Sequence, residues 1–259
     1  MPLTPAPLVE PSFEDIAGDF DRLFSDVSTL TDLEGDALHT ILTPDQIHTV
    51  LDCACGTGIQ AIGLARRGYH VSASDISASM VEITRRKAVQ EGLQIETAVS
   101  DFRDLAPWQG RQFDAIVNSG NSLTLLAGEA DIMRTLHTML QHLRTPGGVG
   151  IVGMHNYLVL QEQAQTFYLR RVTSEFDQLD LVADLRYFGS ERVEVNNIFL
   201  QRDAGGWHLK TYTKSYLLLA AEKLQTMMLA AGFKDVYLRH ISGQRAYQHD
   251  EWVLAVGTR

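Results

Sequence analysis

Cysteine is nearly absent from this chain of 259 residues, which contains only Cys53 and Cys55. A disulfide framework or a cysteine-rich zinc site needs more partners than these two thiols can supply. Their C-x-C spacing also differs from the C-x-x-C spacing of a redox motif. We therefore expect two reduced thiols packed beneath a loop, no metal site, and a cytoplasmic protein.

The chain also lacks an excess of basic residues and any long apolar run. Its formal net charge is −10, from 22 Lys and Arg against 32 Asp and Glu, which argues against a wide nucleic-acid surface. Residues 1–11 carry prolines where a signal peptide needs an apolar core, and we expect this segment to be flexible. No apolar run is long enough to cross a membrane. We therefore predict neither nucleic acid nor membrane as a partner.

Apolar segments that alternate between strand-like and helical spacing begin at Ile47. Strands are predicted to end at Leu51 and to cover 69–74, 95–99, 113–117 and 149–154, followed by a hairpin at 236–241 and 252–256. Helices are predicted at 59–67, 77–91, 129–143 and 220–231. This pattern predicts an α/β fold, with a Rossmann-like, seven-stranded, mostly parallel sheet and a C-terminal antiparallel hairpin.

Two further regions are predicted to cover that sheet within a single domain, 1–259. Residues 1–44 form an N-terminal helical cover with helices at 13–23 and 32–42. Residues 159–217 form an inserted antiparallel β subdomain with extended segments at 183–188, 192–201 and 207–217. Exposed strand edges of this insert would suit a homodimer.

The densest motif is the glycine turn V-L-D-C-A-C-G-T-G, from Val50 to Gly58. Small residues after a strand let the backbone approach a ligand closely, and the next helix directs its free N–H groups at the same turn. A second carboxylate, Asp75, ends the following strand. Such a βαβ unit predicts a nucleoside-like ligand whose ribose contacts Asp75.

Two cofactors fit this unit. The turn satisfies the relaxed dinucleotide fingerprint G-x-G-x-x-A at Gly56, Gly58 and Ala61. However, Asp52 occupies the place where a pyrophosphate would pass, and a carboxylate there favours an ammonium group. An acid and an aromatic, Asp101 and Phe102, follow the third strand and suit adenine. No Tyr-x-x-x-Lys run indicates hydride chemistry, so an NAD-dependent dehydrogenase stays an outside alternative.

Five segments in order carry a family resemblance: D-C-A-C-G-T-G, D-I-S, S-D-F-R-D-L, F-D-A-I-V-N-S-G-N-S-L and L-R-T-P-G-G-V-G-I-V. Over about residues 45–157 they resemble the ordered motifs of class I S-adenosylmethionine-dependent methyltransferases. The resemblance implies S-adenosyl-L-methionine as cofactor and S-adenosyl-L-homocysteine as product.

The resemblance also implies which residues hold the cofactor. They are Asp52, Ala54, Gly56, Thr57 and Gly58 for the methionine part, Asp75 for the ribose hydroxyls, Ile76, Met80, Asp101 and Phe102 for the adenine, and Ser119 beneath the sulfonium. Two of these have simpler interpretations. Met80 is equally well a core residue. For Asp101 the simpler interpretation is a helix cap, but its place at the carboxyl end of a strand favours the adenine contact.

The segments S-G-N-S-L and H-N-Y, with the insert and its T-K-S-Y-L run, are similar to glycine and sarcosine N-methyltransferases. This similarity implies a small-molecule substrate with Asn121 beside its amine, Tyr216 closing the pocket, and Phe20 in a mobile N-terminal cover. Asn118-Ser119-Gly120-Asn121 does not match the N-P-P-Y type of motif used for amino groups on bases.

One departure concerns substrate binding. Where the resembled family has an arginine for the substrate carboxylate, this chain has His155, whose ring is titratable. His155 is then a substrate ligand, a general base or a structural histidine, and Tyr157 is a second candidate for removing a proton.

The sequence therefore predicts a methyltransferase that acts on a small molecule, at an amine nitrogen. Methyl transfer to oxygen or carbon, with His155 as the base, is the first alternative. A non-catalytic protein that binds S-adenosylmethionine is the second, because cofactor motifs report binding and not turnover.

Overall fold

The computed structural model describes residues 13–43, 47–164, 166–175, 178–240 and 252–259. The proline-rich segment 1–11 and Ile241, the predicted end of a strand, lie outside the described residues. Within them the strands are β1 (Thr49–Asp52), β2 (His70–Asp75), β3 (Ile95–Val99), β4 (Ala115–Asn118), β5 (Val149–His155), β6 (Phe167–Glu175), β7 (Gln178–Phe188), β8 (Arg192–Asp203), β9 (Gly206–Leu217), β10 (Lys234–His240) and β11 (Trp252–Thr258).

The helices in the same ranges are α1 (Phe13–Ile16), α2 (Val27–Leu42), α3 (Ile59–Arg66), α4 (Ala78–Gln90), α5 (Glu129–His142), α6 (Tyr157–Glu162) and α7 (Ala221–Ala231). Across the described part of the chain, none of them combines the length and apolar character needed to cross a membrane.

The central sheet has the strand order β10-β11-β5-β4-β1-β2-β3. Strands β1 to β5 pair in parallel, and β11 runs antiparallel to both β5 and β10. The predicted seven-stranded, mostly parallel sheet with its C-terminal hairpin is therefore confirmed. Its central strands are mostly apolar because helices cover both faces, as in β4, which is buried along its whole length.

Successive residues of the central strands enter two separate cores. Leu51 and Ile116 pack with α5 and α7 on one face, whereas Val50 and Val117 pack with α2 and α3 on the other. This two-sided burial fixes the register of the sheet, because a slip of one residue would exchange the faces. The carboxyl ends of β1, β2, β4 and β5 are thereby held at one edge.

A second, antiparallel sheet with the order β6-β7-β8-β9 lies over that edge and confirms the inserted β cover. The sequence did not predict its first strand, β6, whose segment F-Y-L-R-R-V-T-S-E has no clean alternation of apolar and polar residues. Helix α6, between the two sheets, was also not predicted.

The N-terminal helices differ from the prediction. The helix expected at 13–23 is divided into α1 and a 3-10 turn, Phe20–Leu23, because Gly18 in between disfavours a continuous helix. The helix expected at 32–42 instead begins at Val27, where the Asp26 side chain accepts a hydrogen bond from Thr29 N at 3.1 Å and caps it. The turn contacts β7 of the inserted sheet.

Candidate active site

A cavity of about 500 Å³ lies where the carboxyl ends of β1, β2, β4 and β5 meet the inserted sheet. The N-terminal segment forms a third side through Phe13 and Phe20. In parallel sheets ligands bind outside the carboxyl ends of the strands, so this is the expected place for a site.

The glycine turn after β1 forms the floor of the cavity. Gly56 and Gly58 have φ angles of +51° and +94°, in the left-handed region that glycine adopts without strain. The Asp75 carboxylate fixes this turn, because Oδ2 accepts a hydrogen bond from Gly56 N at 2.9 Å and Oδ1 accepts one from Ser77 N at 3.0 Å. Each oxygen keeps a further lone pair for a ligand hydroxyl.

Most of the predicted cofactor residues line this cavity, namely Ala54, Gly56, Thr57, Asp75, Ile76, Met80, Asp101 and Phe102. The other three, Asp52, Gly58 and Ser119, are not on its wall. Gly58 is the N-cap residue of α3. Ser119 packs against Gly153 of β5, where a Cβ atom would lie 2.7 Å from its Oγ, so it does not face the cavity.

Asp52 lies directly beneath the turn and accepts a hydrogen bond from Ala54 N at 3.3 Å through Oδ1. Burial, with a contribution from the charge of Asp75, raises the pKa of Asp52 to about 7. Its other oxygen, Oδ2, is buried and has no hydrogen-bond partner among the described residues. A cationic ammonium group nearby would favour the charged carboxylate, so the buried acid and the open Asp75 fit the two ends of S-adenosylmethionine.

Met80 and Asp101 line the cavity and also have the simpler roles, core residue and local cap, that the sequence left open. Met80 belongs to a core cluster with Ile16 and Phe199 and also borders the cavity. Asp101 lines the cavity, but its carboxylate accepts a hydrogen bond from Arg103 N at 2.8 Å and pairs with the Arg103 guanidinium at 2.6 Å. Asp101 is thus a local cap in this structure.

Asn121 connects the ends of β4 and β5. Its Nδ2 donates to Tyr157 Oη at 3.2 Å, and its Oδ1 accepts from His155 N at 3.0 Å. Its φ of +63° is left-handed, a conformation that asparagine tolerates better than most residues. The structure thereby brings together at the cavity all three residues predicted to be catalytic, and the ring of Tyr216 lies 5.4 Å from that of Tyr157.

His155 and Tyr157 lie in an environment that disfavours charge. Burial, with the positive charges of Arg170 and Arg186, lowers the pKa of His155 to about 3. Burial also raises the pKa of the Tyr157 phenol well above its usual range. Both side chains are therefore neutral near pH 7. A ring with so low a pKa is a weak proton acceptor, which disfavours the interpretation of His155 as a general base and favours a substrate ligand or a structural histidine.

The inserted sheet contributes a charged group that the sequence reasoning did not assign. The residues of this group line the cavity; they are Tyr168, Arg170, Asp184, Arg186, Asn197 and Lys214. A signal was present in β7, where Asp184 and Arg186 share a face with the apolar Val182 at alternate positions. Charged residues on the buried face of a strand indicate a site.

Asp184 organises this group. Its Oδ1 accepts hydrogen bonds from Arg170 Nε and Asn197 Nδ2, both at 2.8 Å, and Arg170 Nη2 lies 2.6 Å from its Oδ2. Arg170 falls at a register shift between β6 and β7, and such a bulge redirects a side chain. Lys214 places its ammonium 4.2 Å from the centre of the Phe13 ring.

A second residue not predicted, Asp21, attaches the N-terminal segment to the glycine turn. Its carboxylate accepts a hydrogen bond from Thr57 Oγ1 at 2.6 Å and pairs with Lys87 at 2.6 Å. Phe20, the residue before Asp21, is thereby held at the cavity.

Comparison with known proteins agrees with this geometry. Residues 50–148 match a family model described as a methyltransferase domain. The chain is 32% identical over 147 residues to the glycine/sarcosine N-methyltransferase of Parasynechococcus marenigrum, a match that covers 56% of this chain and 50% of that protein. The chain spans about half the length of the curated relatives it matches.

Two solved structures are similar in fold. The S-adenosylmethionine-dependent methyltransferase from Clostridium acetobutylicum has a TM-score of 0.74 at 18% identity, over 96% of this chain and 99% of that one. The sugar N-methyltransferase KedS8 from Streptoalloteichus has a TM-score of 0.71 at 20% identity, over 100% and 98%. These findings show that residues 50–148 form a methyltransferase domain and that the chain has the fold of known S-adenosylmethionine-dependent methyltransferases.

Proposed function

We propose that this chain transfers the methyl group of S-adenosylmethionine to an amine nitrogen of a small molecule. The arrangement of Asn121, Tyr157 and His155 at the ends of β4 and β5 is the observation that carries the proposal. Two similar proteins, a glycine/sarcosine N-methyltransferase and a sugar N-methyltransferase, support nitrogen as the acceptor. A cavity of about 500 Å³ suits a small molecule beside the cofactor.

The bound cofactor supplies an activated methyl group, so the chain needs little acid–base machinery. Its residues position the amine and exclude water. Tyr157 Oη receives one hydrogen bond from Asn121 and keeps a lone pair that can accept an amine N–H. The N-terminal segment closes the site through Asp21 on Thr57, and the inserted sheet covers the other side.

The direct test is release of S-adenosylhomocysteine with glycine, sarcosine, larger amines, amino sugars and phenols. Turnover with amines and not with phenols would support the proposal. Turnover with phenols or carbon acids, and not with amines, would mean that the methyl group is transferred to oxygen or carbon instead of nitrogen. Tight cofactor binding without turnover of any acceptor would favour a non-catalytic binder.

A pH profile tests the role of His155. Because the pKa of His155 is lowered to about 3, the ring stays neutral from pH 5 upward. We therefore expect the rise of kcat/KM with pH to follow deprotonation of the substrate ammonium. The His155→Gln variant should therefore have a lower kcat/KM, and the pH midpoint of this rise should stay the same as in wild type. His142→Gln, at a histidine buried in α5 away from the cavity, is the matched control. If the rise with pH is lost in His155→Gln and kept in His142→Gln, His155 is a general base.

A further inference from the structure

The inserted sheet has two faces, because alternate residues of a strand point to opposite sides. The inner face borders the cavity, and its apolar residues pack into hydrophobic clusters. Val182 and Phe199 pack with the N-terminal segment, and Val195 packs with α6. The opposite side, here called the outer face, is also rich in apolar residues.

Six of the eleven large apolar side chains that are exposed in the described ranges lie on the outer face. They are 47–65% exposed, and in the described part of the chain none of them belongs to a hydrophobic cluster. Single exposed apolar residues are ordinary, whereas a contiguous set on one face indicates a binding surface. The six residues are Phe167, Leu169, Val172, Tyr187, Trp207 and Leu209.

The strand register joins these residues into a continuous band across all four strands, since directly opposed residues share a face. One row, with one residue from each strand, is Val172, Leu181, Leu200 and Leu209. The next row on the same face is Leu169, Ala183, Ile198 and Thr211. Neither row contains a charged residue, so the middle of the outer face is one connected, uncharged surface.

The area of the outer face suits a stable protein interface. An aromatic side chain buries about 150–250 Å² when it leaves water, so the three aromatic residues, at 57–61% exposure, offer about 350 Å². The exposed leucine and valine side chains and the partly buried residues of both rows add to this area. The total lies above the few hundred Å² that a monomer ordinarily exposes as one patch, and approaches the roughly 800 Å² per partner of a standard interface.

The polar residues of the outer face hydrogen-bond to one another. Thr213 Oγ1 donates to Asn196 Oδ1 at 2.6 Å, and Asn196 Nδ2 donates to Glu194 Oε1 at 3.1 Å. The guanidinium of Arg202 lies 5.7 Å from the centre of the Trp207 ring. A partner therefore has to offer apolar surface and not charge, although the chain has a net charge of −10. The outer face of a second copy is such a surface, and two apolar sheets pack face to face in β-sandwiches.

We propose that two copies of this chain form a two-fold symmetric dimer through the outer faces of their inserted sheets. A two-fold axis brings the same patch of both copies together, so a self-complementary apolar face is sufficient. The two sheets then stack about 10 Å apart. The interface is the face of the sheet and not its strand edges, from which the sequence predicted a homodimer. Because the cavity lies on the inner side of the sheet, both cavities face away from the interface.

The first experiment measures the mass of the full chain in solution by analytical ultracentrifugation at about 1 to 100 µM. Wild type should sediment at twice the mass of one chain. Leu209→Glu should raise the dissociation constant of the dimer by about 100-fold or more, because a two-fold interface buries the new charge twice. Leu229→Glu adds the same charge at an exposed leucine of α7, away from the inserted sheet, and this matched control should stay dimeric.

A second variant separates the face from the edges. Strand β9 is at an edge of the sheet, so a charge at Leu209 also affects pairing between strand edges. Ile198 lies in β8, whose backbone pairs with strands on both sides, and Ile198→Glu should dissociate the dimer as Leu209→Glu does. Far-UV circular dichroism checks that each variant is folded. If Ile198→Glu does not fold, Ile198→Thr takes its place, with a smaller rise of the dissociation constant.

Three results would overturn the proposal. A monomeric wild type would leave the outer face to a different protein. A dimer that survives substitution at both Leu209 and Ile198 would have its interface elsewhere on the chain. Dissociation by Leu209→Glu alone would indicate pairing between strand edges. None of these measurements depends on the cofactor or the acceptor, so they test the dimer separately from the proposed function.

Discussion

Replacing Asp75 by asparagine should weaken S-adenosylmethionine binding by about 100-fold, or about 2.7 kcal/mol. The side chain ends β2 with both oxygens fixed by backbone N–H groups of Gly56 and Ser77. Each oxygen can accept a further, charge-assisted hydrogen bond from a ribose hydroxyl. Asparagine removes the charge and turns one acceptor into a donor that faces an N–H group. Calorimetric titration with S-adenosylmethionine measures the loss.

Asp114 offers a matched control for this substitution. It is also a carboxylate that accepts two backbone hydrogen bonds, from His48 N and Thr49 N at 2.8 Å each, but it lies at the opposite end of the sheet. Asp114→Asn should leave the affinity unchanged although it removes the same kind of contact. Equal losses in both variants would indicate a general effect on the fold. An unchanged affinity in Asp75→Asn would mean that the ribose is not bound at the end of β2.

The parallel sheet and the cavity floor could be predicted because their signals are local. The glycine turn follows β1, Asp75 ends β2 and Asn121 lies three residues after β4, and the carboxyl ends of parallel strands meet at one edge. Once the strands are placed, their terminal residues are placed too. The order of the motifs along the chain therefore gave most of the floor of the site.

The charged group of the inserted sheet could not be predicted because its contacts depend on pairings between distant strands. Arg170 reaches Asp184 through a register shift between β6 and β7, and no local pattern indicates where a bulge will fall. Asp184 and Asn197 meet only because β7 and β8 pair in that register. Asp52 ends β1 and Ser119 follows β4, but neither side chain lies on the cavity wall, since side-chain direction is not determined by position in a motif. Asp52 lies directly beneath the glycine turn instead.

Replacing Asp184 by asparagine should cost about 3–5 kcal/mol of the free energy of unfolding. Asp184 is fully buried, and its loss of charge leaves Arg170, which lies 2.6 Å from it, and Arg186, which lies 3.8 Å from it, without this anion. Urea denaturation at pH 7 measures the loss. Asp203→Asn, at an exposed carboxylate of the same sheet paired with His208, should leave the free energy of unfolding nearly unchanged and serves as the control.

The origin of this loss can be tested by pH and by a second substitution. Burial opposes the charged carboxylate, yet Arg170 and its hydrogen bonds keep the pKa of Asp184 below its ordinary value. A lowered pKa stabilises the fold above the unfolded value of about 3.9, so the difference between wild type and Asp184→Asn should shrink as the pH falls below it.

The double variant Asp184→Leu, Arg170→Met should be less destabilised than Asp184→Leu alone, because it removes a buried cation together with its partner. If the two are equally unstable, Asp184 stabilises the sheet through packing and its bond to Asn197, and the charge of Arg170 contributes little to the loss.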